Sequence, residues 1–431
     1  MPNKHSDGSW WFLLIITIHR GTHQIGGSCI ELSAGNTRII LDAGQVLPPA
    51  NGEKSLQLPE LPKVNGLYQE EQPTVDAVLF SHYHGDHVGL IEYIHPDIPI
   101  FMGEATAKVM NMTARFVSSR TVVQPAVCFV SGQSLQIGDF TVTPYLVDHS
   151  AYDAYAFVIQ ADNKTVVYTG DLRMHGKKAK ATWYFLKHLP QRVDALLLEG
   201  TMMSRRCEPV ETEEQIEERA YEFMLSKQGP VFVMQSAVNI DRLVGMYRAA
   251  KRSNRLFVMD IFTANIVAEL GKKIPNPYTF RDVRVFYPYF LTQQMFKEDE
   301  SAIWMNRFSR YKISRAELGA RKNYCMLIRD TMLSDLQHIN NITGAGLIYS
   351  LWGGYLRTER VRRFMRFGEE QQMDVIHLHT SGHADLTTLH EIVNACNPGR
   401  VIPVHTECPE RYSGEFANVE ILQDGQIFDL R

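Results

Sequence analysis

Residues 81–89 read SHYHGDHVG, with three histidines and an aspartate inside six consecutive positions. They follow directly on Val75-Asp76-Ala77-Val78-Leu79-Phe80, an apolar run with the length and composition of a strand. His82 and His84 alternate in an extended segment and can point to the same side, while Gly85 permits a turn that brings Asp86 and His87 around. Burying that much imidazole and carboxylate in so little chain has no structural rationale without a cation. Four ligands fanning from one loop suit two adjacent cations better than one closed tetrahedral site. The fold must therefore set this loop where other segments can complete the coordination.

The rest of the chain offers those segments. Up to about residue 200 it is strand-rich, and nearly every strand candidate runs into a polar or histidine-bearing loop. "SCIELSAGNTRIILDAG" reads as a hairpin turning at Gly35-Asn36, with Asp42 at the exit of its second strand. "FTVTPYLVDHS" ends on His149, "AYAFVIQADNKTVVYTGD" on Asp171, "VDALLLEGT" on Glu199, and much later "PVHT" presents His405. Taken alone, His149 or His405 would read as an ordinary core or surface histidine; beside the compact motif they read as ligands. An aspartate shared by two ions holds them about 3.5–4 Å apart. "GEATAKVMNMTARF" (103–116) intervenes as a helix.

Near residue 205 the pattern changes. Thr212 and Gln215 form a capping box ahead of an apolar face at Ile216, Ala220, Phe223 and Met224. "GPVFVMQSAVNIDRLVGMYRAAKRSNRLFVMD" follows as strand, helix, strand. Residues 270–345 are less regular, and strand-then-helix alternation returns near the C-terminus with histidines again at strand exits. The chain reads as an α/β protein in which one domain interrupts another: 1–203 and 371–431 form the first, 204–370 the second.

With 431 residues and 45% hydrophobic composition, the chain can bury two such cores. A formal charge of −4 leaves any nucleic-acid contact to local basic patches. Six cysteines, with no CxxC pair, fit reduced thiols and a cytoplasmic location, and remove the cysteine zinc knuckle from consideration. The run Trp10–Ile16 lacks a cleavage pattern and is too short to span a bilayer, so it reads as a buried first strand and no membrane partner is expected.

"SHYHGDHVG", His149, the Asp171 of "TGD" and the His405 of "PVHTE" stand in the order and approximate spacing of the metallo-β-lactamase superfamily, which the chain resembles. The resemblance implies an αββα sandwich with two Zn2+ ions per chain, Mn2+ or another divalent ion being an alternative. His82, His84 and His149 would hold one ion, and Asp86, His87 and His405 the other, with Asp171 bridging. Asp42 would support the ligand loop from behind. About 200 residues separate Asp171 from the next histidine motif, and "HTSGHADL" places His383 22 residues before His405. This layout, with Glu199 after a strand, is similar to the β-CASP group of nucleic-acid-processing members, and "SGHA" followed by "PVHTE" to its ribonuclease J-like pattern. The inserted segment would then be an α/β β-CASP domain.

A histidine at position 405 favours RNA over DNA by the same resemblance. The implied activity is phosphodiester hydrolysis by hydroxide activated between two metals, with Asp86, Asp171, His383 and Glu199 as the catalytic set. His383 would contact a non-bridging oxygen or protonate the leaving oxygen, and Glu199 would orient it. Ser236 and Asn239, at a strand-to-helix junction, and Arg242 one turn on, suit phosphate binding; a plain helix cap with a solvated arginine fits them equally well. Segments 175–188 and 357–367 interleave basic and aromatic residues, as backbone neutralisation and base stacking require and as many solvated helix faces also do. With 26 residues after His405, the C-terminal domain that many ribonuclease J proteins use to dimerise is not expected in this sequence. A homodimer therefore stays open, as does the choice between RNA, DNA and a small ester.

Overall fold

The computed structural model describes residues 3–4, 10–11, 13–47, 59–116, 122–205, 210–295 and 302–430. Two sheets face one another across an apolar layer. The first orders Ile427–Leu430, Leu14–Arg20, Cys29–Ala34, Thr37–Leu41, Ala77–Leu79, Ile100–Met102 and Val127–Cys128. Its first four strands are antiparallel and the rest parallel. The second orders Pro398–Val404, Val193–Glu199, Lys164–Tyr168, Ala154–Ala161, Phe140–Val147 and Leu135–Ile137. Leu14, Ile16, Ile18, Ile30, Leu32 and Ile39 meet Phe140, Val142, Phe157, Ile159, Val166 and Leu197 between them. Helices such as Glu104–Phe116 and Ala179–Lys187 cover the outer faces, which completes an αββα sandwich.

The hairpin at Gly35-Asn36 forms as the sequence indicates, joining Cys29–Ala34 to Thr37–Leu41. The N-terminal strand starts later than expected. Burial alternates strictly from Leu14 to Arg20, so period two sets in only there, whereas Trp10–Trp11 pairs with Asn3–Lys4 outside the sandwich. Phe12 lies outside the described residues.

A third sheet is wholly parallel, ordered Val283–Phe286, Leu256–Asp260, Tyr324–Ile328, Val231–Met234, Gly346–Tyr349 and Asp374–His377. Helices cover both of its faces, which explains the unbroken apolar runs VFVM, YCMLI and GLIY. The capping box at Thr212 and Gln215 is present, and the helix Ile240–Arg252 joins two of these strands. Residues 270–345 hold more order than expected. The strands Val283–Phe286 and Tyr324–Ile328 are only 4 and 5 residues long, too short to stand out by periodicity among the small helices that separate them.

The five described cysteines are free thiols, and Cys207 lies outside the described residues. Among the described residues no helix is long and apolar enough to cross a membrane.

Candidate metal centre

Strand ends decide where the chemistry-bearing side chains go. Asp42 follows Thr37–Leu41, His82 lies just past Ala77–Leu79, His149 past Phe140–Val147, Asp171 past Lys164–Tyr168, and His405 follows Pro398–Val404; Glu199 is the last residue of Val193–Glu199. These strands neighbour one another in the two sheets, so their ends gather at one edge of the sandwich. Asp42 and His405 both take the left-handed backbone, φ 60° and 52°, a conformation that non-glycine residues hold only where the surroundings impose it.

Three donor groups result: His82, His84 and His149; Asp86, His87, Asp171 and His405; and Asp171, Glu199, His383 and His405. In the first, His84 Nδ1 lies 3.0 Å from His82 Nε2 and 3.1 Å from His149 Nε2. In the second, His87 Nε2 is 3.1 Å from Asp171 Oδ2, and His405 Nε2 is 3.3 Å from Asp86 Oδ2. Asp171 stands between the two, with Oδ2 also 3.8 Å from His82 Nε2.

The electrostatics divide the same way. Burial, reinforced by neighbouring imidazoles, holds His82 and His149 well below the usual histidine range, and burial brings His84 to about 4 against the pull of Asp86 and Asp171. All three therefore present neutral nitrogens, the form that binds a cation. Around Asp171 the signs reverse. Burial opposes the charge on Asp171 and on His87, but His405, His87 and His383 keep the carboxyl well below its ordinary range, and Asp171 and Asp42 raise His87 well above its own. Asp86 is likewise lowered, its burial outweighed by the bond from His405 and the charge of His87.

This donor set fits divalent cations. Three neutral nitrogens converge with no acid among them, carboxylates and imidazoles alternate beside them, and Asp171 Oδ1 is buried with no hydrogen-bond partner. The back side of the site is built to orient these donors. Asp42 accepts from His87 Nδ1 at 2.7 Å, from Tyr168 Oη at 2.7 Å, and from the Ser81 amide and hydroxyl at 2.7 and 2.8 Å. His149 Nδ1 donates to the Gly382 carbonyl at 2.5 Å, and Thr201 Oγ1 lies 2.8 Å from His405 Nδ1. Sequence reasoning found Asp42 but passed over Tyr168, Ser81 and Thr201, which carry no motif of their own; Ser81 alone had a signal, its place beside His82.

His383 sits at the rim with its side chain 20% exposed, Nδ1 3.4 Å from Glu199 Oε1 and 3.6 Å from Asp171 Oδ2. Burial disfavours its charge, yet Glu199 and then Asp171 raise it to about 9. Glu199 is fully enclosed. Its Oε1 accepts the amides of Ala384 at 3.1 Å and Leu172 at 3.4 Å, and its Oε2 that of Thr201 at 3.1 Å, so it acts on His383 by positioning.

Ser236, Asn239 and Arg242 stay outside these groups. Asn239 caps its helix through the Arg242 amide, and Ser236 Oγ faces the Val238 amide. Arg242 is 1% exposed, and its guanidinium is taken up by Glu213 at 2.8 and 3.0 Å, by Ser350 Oγ and by the Leu378 carbonyl. It is a buried ion-pair partner, which corrects the picture of a solvated or phosphate-facing arginine, because Glu213 meets it from the capped helix. Arg173 joins the same network through Glu213, Asp148 and Asp241 and donates to the Ser381 carbonyl at 2.8 Å. In segment 357–367 both phenylalanines, Phe364 and Phe367, are core. In 175–188, Trp183 and Tyr184 are exposed, whereas Lys177 and Lys178 pair with Glu217 and Asp241.

Comparison with known proteins agrees with this architecture. The family profile described as a beta-lactamase superfamily domain matches residues 37–219, and that of a Zn-dependent metallo-hydrolase RNA specificity domain matches 370–413. The chain is similar to ribonuclease J of Sinorhizobium meliloti, 23% identical over 86% of this chain and 64% of that protein, and to ribonuclease J of Mycoplasma genitalium, 22% identical over 90% and 67%. It thus spans about two thirds of the length of these relatives. An RNase J-like protein of Methanocaldococcus jannaschii is 28% identical over 37% of each chain. In fold it is similar to the crystal structure of a protein of unknown function from Enterococcus faecalis V583, with a TM-score of 0.79 at 21% identity, covering 97% of this chain and 100% of that one. The first profile takes in the candidate ligands from His82 to Asp171 and the second takes in His383 and His405, on a sandwich carrying an additional parallel sheet: the two profiles and the relatives together support a ribonuclease J-like metallo-β-lactamase protein of the β-CASP type.

Proposed function

We propose that this protein is a divalent-metal-dependent phosphodiesterase that hydrolyses RNA. Two zinc ions per chain would be held by His82, His84 and His149 on one side and Asp86, His87 and His405 on the other, with Asp171 between them. One observation carries the reading: neutral and acidic donors converge at one edge of the sandwich, and His383, with Nδ1 lacking a hydrogen-bond partner, stands at their rim. The names of the relatives support RNA as the substrate class.

Bound ions of this kind supply a water acidified toward neutral pH and positive charge against a phosphodiester. The chain's own groups do the rest. His383, raised to about 9, carries a proton at neutral pH and delivers it to a non-bridging or leaving oxygen, while Glu199 faces its ring at 3.4 Å and anchors the amide of the next residue, Ala384. Asp42 fixes the orientation of His87, and the Gly382 carbonyl that of His149. Residues 204–370, with a sheet that also takes in Asp374–His377, would form an inserted unit able to shield the reacting phosphate from bulk water. The free thiols are consistent with work in the cytoplasm.

The test is to incubate the purified protein with 5′-monophosphorylated RNA, 5′-triphosphorylated RNA, matched DNA and a generic phosphodiester ester, with and without a chelator. Chelator-sensitive cleavage of RNA supports the reading. Preferential cleavage of DNA makes it a DNA nuclease, and turnover of the small ester with both polymers intact overturns the nuclease reading.

A further inference from the structure

The third sheet turns the C-terminal ends of its strands toward the metal cluster. Ser350, just past Gly346–Tyr349, bonds Arg242 and the Leu378 carbonyl, and Leu378 leads directly into the segment that carries Ser381 and His383. Past Ser350 the chain reads Leu351-Trp352-Gly353-Gly354-Tyr355. Trp352 is 41% and Tyr355 49% exposed, with rings edge to face at 5.5 Å and 87°. Neither ring is loosely hung. A Cβ at Gly354 would collide with the Trp352 indole, which therefore lies directly over that glycine's backbone. The Trp352 carbonyl accepts from Tyr349 Oη at 3.2 Å and from the Tyr355 amide at 3.1 Å, and the Tyr355 carbonyl accepts from Thr358.

Further rings lead inward from this pair. A Cβ at Gly353 would meet only His377 Cε1, at 3.6 Å, and exposed His377 lies 5.2 Å from Tyr349 and stacks on His379 at 6.2 Å and 11°. From His377 and His379 the chain runs on directly to Ser381 and His383, and His383 stands at the rim of the metal cluster. The chain that follows the rings, through Arg357 and the helix Glu359–Glu370, carries unpaired cations. Arg362 and Arg366 pair with Glu359, and Arg360 with Asp330, but exposed Arg357 and Arg363 have no carboxylate at ion-pair distance among the described residues.

We propose that Trp352 and Tyr355, with His377 beside them, form a stacking platform for unpaired nucleobases of a single-stranded substrate whose reacting phosphate lies at the metal cluster, with Arg357 and Arg363 meeting its backbone. The inference rests on the phosphodiesterase reading above. Every base offers a π face, so such a platform tolerates sequence, and it discriminates against duplexes, whose base faces are already stacked. The arginines supply attraction that weakens with salt.

Binding tests this without turnover. A His383→Ala background, loaded with metal, is titrated with a short single-stranded RNA carrying 2-aminopurine, and with the same length of duplex. Trp352→Leu and Tyr355→Leu each weaken single-strand binding about tenfold and remove the quenching that stacking produces, whereas Trp352→Phe keeps both. Gly354→Ala, which dislodges the indole without altering it, reproduces the Trp352→Leu loss. Duplex binding is the same in all variants. Unchanged single-strand binding and quenching in Trp352→Leu and Tyr355→Leu, or an equal loss for duplex, overturns the platform. If His383-intact protein still cleaves RNA in that case, the phosphodiesterase reading stands and only the platform falls; a parent chain that neither binds nor cleaves RNA removes both.

Discussion

Glu199 Oε1 lies 3.4 Å from His383 Nδ1 and accepts the amide of Ala384, the next residue, at 3.1 Å. The same carboxylate accepts the amides of Leu172 and Thr201, so one buried acid ties together the loops that carry Asp171, His405's partner Thr201, and His383. His383→Ala removes the proposed proton donor and leaves this clamp intact. We expect RNA turnover at saturating substrate to fall about 10²–10⁴-fold while elemental analysis still finds the full metal content. Loss of one metal in that variant makes His383 a ligand instead.

Asp42 and Ser81 support the candidate ligands His87 and His82 from behind. Asp42→Asn keeps the shape but weakens the acceptor that fixes His87 Nδ1 at 2.7 Å. Metal affinity should drop about 10–100-fold, measured by competition with a chromophoric chelator. An unchanged affinity would show that His87 is held without it. Metal added to the stripped native chain should also raise its melting temperature, by about 2.7 kcal/mol of stabilisation at a hundredfold excess over Kd.

The Arg173–Glu213–Arg242 network sets a response to acid. Burial works against the Glu213 charge, but Arg242 and Arg173 hold its pKa at about 2, below the ordinary 4.5. Because the folded value is depressed, the stabilisation is complete above about pH 4.5 and drains away as pH falls toward 2. Glu213→Gln leaves two buried guanidiniums short of a counter-charge. It should cost about 3–5 kcal/mol at neutral pH and flatten the loss of stability between those pH values, read by thermal unfolding across pH. Equal acid slopes in parent and variant would place the titration elsewhere.

Gly44 is the least conspicuous residue on which the site depends. A Cβ there would overlap the Asp86 carbonyl, and around it Ala43 donates to His87 O at 2.8 Å and Gln45 to Gly85 O at 2.9 Å. Gly44→Ala should destabilise the chain by about 1–3 kcal/mol and lower metal affinity together. Stability falling with affinity untouched would mean that the ligand loop adjusts independently.

Much of this protein could be read along the chain. "SHYHGDHVG" by itself pointed to its candidate donors, because that density of imidazole and carboxylate in a short loop suits a cation, and hydrophobic strand candidates running into His149, Asp171 and His405 offered the groups that converge with them. Local patterns are self-contained, so the hairpin at Gly35-Asn36 and the capping box at Thr212 were also legible. Other features depended on contacts that no local pattern encodes. Tyr168 and Thr201 became part of the site only because strands distant in sequence end side by side. Arg242 left the surface because Glu213, 29 residues away in sequence, meets it in the interior. Gly44 matters through the backbone packed against it. The sequence alone determined which atoms can bind cations, since that is a property of residue type and spacing. Which groups orient them, and which charges are buried in pairs, was decided by tertiary structure, because hydrogen bonding and desolvation act through space rather than along the chain.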